Sequence, residues 1–432
     1  MQTKALPGFR DFYPSDLAIR THILRTWRTV AARYGFEEYD GPPLEPLELY
    51  TAKSGDEIVG QLYAFTDKGG REVAMRPEMT PTLARMVAAR ANGLKKPIRW
   101  FSIPQLFRYE RQQRGRLREH FQFNCDLIGE PGPLADAEII ALAVDVMRAF
   151  GLGPTDVRVR LSDRRVLRAL LLGSGVGEGQ LPAAFQAVDK IERMDRPALT
   201  AQLADGGITG PPVDRIFAIA ALRGLPAVQA ALAAVPEGAA AGRPLGEVVA
   251  ALEAMGLGQF VEVDLTIVRG LAYYTGTVFE LFDAGRRLRA ICGGGRYDQL
   301  LEALGGVDLP ALGFGMGDVV LGELLRDRGL VPTDGSSIDV FLAAITEEDV
   351  SAVLSLAHEL REAGVRTEFA LGAQPVGRQL KLADARHARL AVVIGPDDRA
   401  RGEVMVKDLR GKGQEAVSRE RAVARVWEMM QS

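Results

Sequence analysis

Residues 107–129 read FRYERQQRGRLREHFQFNCDLIG, and both ends of the stretch alternate. Arg108 and Glu110, then Arg116, Arg118, His120, Gln122, Asn124 and Asp126, share one parity. Phe107 and Tyr109, then Leu117, Phe121, Phe123, Cys125 and Leu127, share the other. Side chains on a strand point alternately to its two faces, so each end presents one polar and one mainly apolar face. Glu119 is the main exception on the apolar side. The middle, RQQRG, is a polar loop ending in Gly115, and the whole predicts a long antiparallel hairpin. Any one Arg–Glu pair reads as an ordinary cross-strand ion pair. The full polar face, with its arginines, acids and hydrogen-bonding groups together, suits a zwitterionic or phosphorylated ligand. Arginine supplies forked donors that match phosphate and carboxylate.

Four other stretches carry chemistry. IVRGLAYYTGTVFELF (267–282) sets Arg269 before a glycine, with Tyr273 and Tyr274 adjacent and a strand following. CGGGRYDQLL (292–301) has three glycines that permit close backbone approach. MRPEMTPTLARMV (75–87) ends a strand at Arg76-Pro77, and Thr80-Pro81 reads as an N-cap followed by a first-turn proline. Glu78 then precedes the helix. In ALGFGMGDVVL (311–321), Gly313, Gly315 and Gly317 alternate with Phe314 and Met316 before a helical run, a pattern that admits a nucleotide but supplies no cation. Taken singly, the first three have plainer readings: a core tyrosine pair, a turn and a capped helix.

The chain has 432 residues, 47% hydrophobic and 25% charged, which predicts two to three packed domains and no long disordered tract. A formal net charge of -3 excludes a general basic coat for nucleic acid, though not a local basic groove. Cys125 and Cys292 form no CxxC, and the four histidines form no HExxH. Zinc and disulfide frameworks are therefore not expected, which fits a reducing cytoplasm. No run of 18 apolar residues predicts a membrane span, and the N-terminus shows no leader pattern. Helices are expected from Asp16, capped by Ser15, to about Ala32, and over Ala135–Phe150. Residues 163–260 turn rich in Ala, Leu and Gly with helical spacing. A linker at 329–339 precedes a strand–helix alternation of about 100 residues, a compact α/β domain.

In this order and spacing, these stretches resemble the class II aminoacyl-tRNA synthetases, and among them the histidyl-tRNA synthetase family, over essentially the whole chain. FRYERQQRGRLREHFQ resembles the second class-wide motif. VRGLAYYTG, GGGRYD and RPEMT are similar to stretches peculiar to the histidine enzymes, and GFRDFYPSD fits their opening. The resemblance implies an α+β fold: an antiparallel six-stranded catalytic sheet flanked by helices, a helical insertion, and a C-terminal α/β anticodon-binding domain. The implied boundaries are 1–162 and 262–328 for the catalytic domain, 163–261 for the insertion and 336–432 for the anticodon-binding domain. The first class-wide motif, the helix before Tyr34 and the strand reaching Pro43, implies a homodimer.

The implied activity is ATP-dependent histidine–tRNA ligation in the cytoplasm, with L-histidine, ATP, Mg²⁺ and tRNA(His) as partners and no membrane. Arg108 would hold the α-phosphate of ATP and the substrate carboxylate, and Arg269 would stabilise charge on that phosphate during attack. Glu110 would meet the adenine amino group. Glu78, Thr80 and Gln122 would bind the ammonium of histidine, and Asp126 and Tyr274, with Tyr273, would read its ring. No protein ligand for a metal is assigned.

Four positions depart from the family's pattern. Asp126 stands where glutamate is usual. His120 replaces a phenylalanine that stacks on adenine, and by parity His120 rather than Phe121 takes that role. The third class-wide motif ends in Val319-Val320 where Glu-Arg is usual, so Arg116 or Arg118, with Mg²⁺, is expected to neutralise the β- and γ-phosphates. Loop 111–115 is expected near the tRNA acceptor end. Arg378, Lys381, Arg386 and Arg389 are candidate phosphate contacts, equally readable as a solvated helix face. The missing motif arginine supports a rival: a non-catalytic paralogue serving as regulatory subunit of ATP phosphoribosyltransferase. A synthetase for proline or threonine is a weaker third reading.

Overall fold

In the computed structural model, strand β1 (Glu37–Glu38) is followed by β2 (Leu44–Pro46), β3 (Tyr63–Thr66) and β4 (Glu72–Met75). Then come β5 (Ile98–Ser102), β6 (Gln105–Phe107), β7 (Glu119–Ile128), β8 (Val157–Asp163), β9 (Val261–Val263), β10 (Thr277–Asp283), β11 (Cys292–Arg296) and β12 (Ala311–Gly317). The structure describes residues 4–51, 59–111, 113, 115–268, 273–332, 338–372, 374–411 and 413–431. Most of the predicted linker's centre and the segment bearing Arg269 lie outside these.

A hairpin forms, but its first strand is shorter than expected: β6 pairs antiparallel with β7, Leu106 opposite His120, and ends at Phe107, so Arg108 and Glu110 lie just beyond it. Strand β7 lies inside a nine-stranded mixed sheet of order β1-β5-β7-β12-β11-β10-β8-β9, with β6 also on β7. This corrects the expected six-stranded antiparallel sheet. The six strands from β5 to β8 in that order are antiparallel, but β1 and β9 add parallel edges. Those edge strands have two and three residues. Runs that short carry no periodicity to read. Strands β2, β4 and β3 form a separate small antiparallel sheet.

The apolar parity of β7 builds the core. Phe123, Cys125 and Leu127 are buried with Trp27 from helix Pro14–Arg33 and with the almost wholly buried helix Pro133–Ala149. Trp27 stacks on Phe123 at 5.5 Å between ring centres. Truncating either ring in a site this tight costs about 3–5 kcal/mol. Two caps differ from expectation. The first helix starts at Pro14 after Tyr13, so Ser15 lies within its first turn rather than capping it. Helix Thr80–Arg90 starts at Thr80 after Met79, with Pro81 in the first turn. In both cases proline is preset for helix entry and lacks only an N–H that the first turn leaves unbonded, which draws the start toward it.

Glu119 breaks the apolar pattern for a reason. It is 1% exposed and ion-paired with Arg10 at 2.5 Å, and Arg10 also reaches Asp318 at 2.9 Å. Asp318 opens helix Asp318–Asp327 and accepts the Phe121 N–H at 2.9 Å. A buried charge is tolerable when paired and hydrogen-bonded.

The chain divides into two units, Met1–Val331 and Pro332–Ser432. In the first, six helices between 164 and 254 link β8 to β9, and their Leu167, Leu171, Leu245, Val248 and Leu252 share the sheet's core. The second unit has a five-stranded sheet of β13 (Val340–Ala344), β14 (Thr367–Phe369), β15 (Leu390–Ile394), β16 (Glu403–Asp408) and β17 (Gln414–Ser418), in order β14-β13-β15-β16-β17. Val340, Leu342, Leu356, Leu390 and Val392 fill its core.

Candidate functional site

Three neighbouring strands make a floor almost without side chains. In the register of β12 on β7, Gly313, Gly315 and Gly317 stand opposite Asp126, Asn124 and Gln122. In that of β11 on β12, Gly293 and Gly295 stand opposite Gly315 and Gly313. A Cβ on Gly313 would run into Asp126 Oδ1 and the Cys125 carbonyl, and one on Gly315 into Gln122 Nε2. A Cβ on Gly295 would lie 2.6 Å from the Thr277 carbonyl and 2.9 Å from the Tyr274 ring. The alternating glycines therefore let polar side chains of β7 lie across their neighbours.

Over this floor opens a cavity of ≈ 790 Å³. Arg108, Glu110, Arg116, His120 and Gln122 from the hairpin line it, with Gly293, Gly315 and Gly317 beneath and Val319 and Val320 at one side. Arg108 donates from Nε to the Pro77 carbonyl at 2.8 Å, which ties it to the stretch carrying Glu78 and Thr80. Arg116 pairs with Glu110 at 2.5 Å. His120 faces the cavity, and its imidazole is pushed down to about 3, first by burial and then by Arg108 and Arg10. It is a neutral, flat ring at physiological pH. Phe121 turns the other way, under the Arg20 guanidinium at 4.7 Å.

Arg118 is not among the lining residues. Its guanidinium lies over the Tyr109 ring at 4.0 Å and donates to the Glu110 carbonyl at 3.3 Å. The strand's parity alone did not anticipate this turn away from the cavity. Arg269 lies outside the described residues.

A second polar group gathers under helix Thr80–Arg90. Asp126 is 5% exposed and accepts a hydrogen bond from the Tyr297 hydroxyl. Tyr273 lies 5.0 Å from Tyr274 and 5.9 Å from Tyr297, ring centre to ring centre. Tyr274 and Tyr297 share a buried cluster with Leu83 of that helix. Burial raises the Asp126 carboxyl to about 7, with the Tyr297 hydrogen bond opposing. Tyr39 is buried close enough for Asp126 to raise its phenol further. Sequence reasoning missed Tyr297 and Tyr39. GGGRYD had flagged the right stretch for Tyr297, but nothing local marked Tyr39.

On the far wall, Arg160 is 3% exposed and holds Asp264 and Glu192 at 2.6 Å each, with the Thr266 hydroxyl at 2.7 Å. This clamp joins β8 to the residues just before 269. Among the described residues no cluster of three His, Cys, Asp or Glu could hold a metal, and no helix is long and apolar enough to cross a membrane.

With this geometry in view, the similarities to known proteins are specific. The histidyl-tRNA synthetase family profile matches residues 8–318, and the anticodon binding domain profile matches 339–429. The histidine–tRNA ligase of Opitutus terrae is 48% identical over 431 residues, 98% of each chain. The crystal structure of histidyl-tRNA synthetase from Nostoc sp. PCC 7120 superposes with TM-score 0.86 at 25% identity, covering 99% of this chain and 100% of that one. A structure titled as an ATP phosphoribosyltransferase regulatory subunit/histidyl-tRNA synthetase, from Bacillus halodurans C, gives TM-score 0.75 at 24% identity over 91% of this chain and 98% of that one, a likeness of fold alone. The full-length ligase relative at 48% identity therefore weighs against the regulatory reading.

Proposed function

The chain belongs to the histidyl-tRNA synthetase family, and we propose that the cavity over the glycine floor is where it joins L-histidine to ATP before transfer to tRNA(His). It is an ATP-dependent histidine–tRNA ligase. The observation that carries the site is Arg108, which lines the cavity while bonded to the Pro77 carbonyl beside Glu78. That position lets one guanidinium touch both the α-phosphate and the amino-acid carboxylate.

The histidine carboxylate attacks the α-phosphate in line, and pyrophosphate leaves. This needs positioning and charge stabilisation rather than covalent catalysis. Arg108 and Arg269 neutralise the phosphate, Glu110 meets the adenine amino group and the neutral His120 ring stacks on the base. Glu78, Thr80 and Gln122 take the ammonium. Asp126 reads the imidazole with Tyr273 and Tyr274, and Tyr297 orients its carboxyl. A terminal ribose hydroxyl of the tRNA then attacks the acyl carbon, and AMP leaves.

Of Arg116 and Arg118, Arg116 takes the outer phosphates, since Arg118 lies over Tyr109. Mg²⁺ suits such a site, because it is usually held by one or two carboxylates plus phosphate oxygens, and Glu280 lines the cavity. Bound there with the nucleotide, it would neutralise phosphate charge. The proposal extends to catalytic segments 1–162 and 262–328, an insertion at 163–261, an anticodon-binding domain at 336–432, and a cytoplasmic homodimer joined through helix Pro14–Arg33.

Histidine-dependent ATP–pyrophosphate exchange tests this. Arg108→Ala should lower the exchange rate roughly 10²–10³-fold. Normal exchange by that variant rejects the site, and no exchange by the intact, folded chain restores the regulatory reading.

A further inference from the structure

Arginines crowd part of the cavity wall, whose lining also carries Glu110, Asp189, Glu192 and Glu280. Arg116, Arg193 and Arg289 all line it. Glu110 is already paired with Arg116 at 2.5 Å. Among the described residues Arg289 forms no ion pair; its guanidinium donates to the Gln113 side chain on the hairpin loop. Burial, Arg116 and Arg193 all weaken its hold on the proton, with Glu110 opposing. Arginines brought together in this way repel one another unless an anion sits between them.

The placement is built. Arg289 lies on the loop between β10 and β11. Asp283 fixes that loop by accepting the Arg287 N–H at 3.1 Å and the Leu288 N–H at 2.9 Å. A Cβ on Gly115 would meet Val320 Cγ2 at 3.2 Å and Arg289 Cδ at 3.9 Å. The stem of Arg289 thus crosses the point where helix Asp318–Asp327 offers only Val319 and Val320 to the cavity.

We propose that Arg289, beside Arg116, binds the outer phosphates of ATP and supplies the cation that the valine-lined wall lacks. The inference rests on reading this cavity as the ATP site. The ligand chemistry is phosphate, and the two sources are the nucleotide tail and the tRNA backbone. The nucleotide is favoured because Arg289 lines the same cavity as Arg108 and His120.

The test compares wild type, Arg289→Gln, Arg289→Gln with Val320→Arg, and Arg108→Ala. Readouts are exchange kinetics, AMP binding and tRNA charging. Losing one charge-assisted contact should raise the KM for ATP about 10- to 100-fold in Arg289→Gln. AMP affinity and the KM for histidine should stay within about twofold, since neither ligand has the outer phosphates. Val320→Arg, placing a guanidinium across Gly115, should recover ATP binding in the double variant. An unchanged KM for ATP overturns the proposal, as does equal weakening of AMP or a defect confined to the KM for tRNA. If Arg108→Ala is impaired while Arg289→Gln is normal, only Arg289 is misassigned; if both exchange normally, the cavity itself is.

Discussion

Asp126 is the residue whose environment and proposed task meet most directly. Its carboxyl is raised to about 7 by burial, well above the unfolded value. Between those two values the folded chain holds a proton that the unfolded chain has lost, so this group's contribution to stability falls as pH rises through that window, by ~1.4 kcal/mol per unit of displacement. Asp126→Asn removes the effect. The variant's melting temperature should gain on wild type from pH 4 to pH 7 and run parallel above pH 8; parallel curves throughout would show the carboxyl to be unperturbed. Histidine affinity should carry the same signature in reverse. An ionised Asp126 accepts from the imidazole N–H, so wild-type affinity should rise through pH 7 more steeply than that of Asp126→Asn.

The glycines of GFGMG divide on the same scale. Gly313→Ala drives a methyl into Asp126 and the Cys125 carbonyl and should cost about 1–3 kcal/mol. At Gly317 a Cβ meets nothing within 4 Å, and its φ of -85° suits any residue. Gly317→Ala should change stability by less than about 0.5 kcal/mol in denaturant unfolding. Strand parity is a local property, so Arg108, Glu110, Arg116, His120 and Gln122 were legible as one face from sequence. Tyr297 meets Asp126 across 171 residues, and Arg289 meets Gln113 across 176. Contacts that distant leave no periodic trace. Arg118 shows the converse: its parity was right, but an aromatic neighbour drew its long side chain away.

Among elements, the junction of β8, β9 and the inserted helices depends on the Arg160 clamp. Arg160 and Asp264 are 3% and 0% exposed, and Asp264 also accepts the Thr266 N–H at 3.0 Å. Among the described residues, Arg160→Met leaves the buried carboxylate with Arg223, at 3.3 Å, as its cation. The expected loss is about 3–5 kcal/mol in chemical denaturation, because breaking one half of a buried pair strands the other charge. Arg160→Met with Asp264→Leu should recover most of it, and a double variant no more stable than the single would show that the clamp acts through something other than charge. Helices and long strands were visible at this scale because they repeat. The parallel edges β1 and β9, too short to repeat, and β6 on β7 turned the expected six-stranded sheet into nine.

At the scale of the molecule, two units with separate cores imply two separable tasks. The floor, the cavity and the Asp126 cluster all lie within Met1–Val331, and among the described residues Leu330 and Val331 pack against its core. The second unit closes its own sheet around Leu342, Leu356 and Val392. It matches the anticodon binding domain, and Arg378, Lys381 and Arg386 are exposed on or just beyond its helix Val376–Ala385, whereas Arg389 is tied to the Met430 carbonyl at 2.5 Å. A chain ending at Val331 should therefore fold and keep histidine-dependent ATP–pyrophosphate exchange, because no adenylation residue is lost. Its tRNA charging should fall by more than about tenfold, since each 1.4 kcal/mol of lost tRNA contact is a factor of ten. In the full chain, replacing Arg378, Lys381 and Arg386 together by Gln should weaken tRNA binding and flatten its salt dependence while exchange stays unchanged, as phosphate contacts require. Unaltered salt dependence would leave those three as a solvated face and move the anticodon contact elsewhere on the unit.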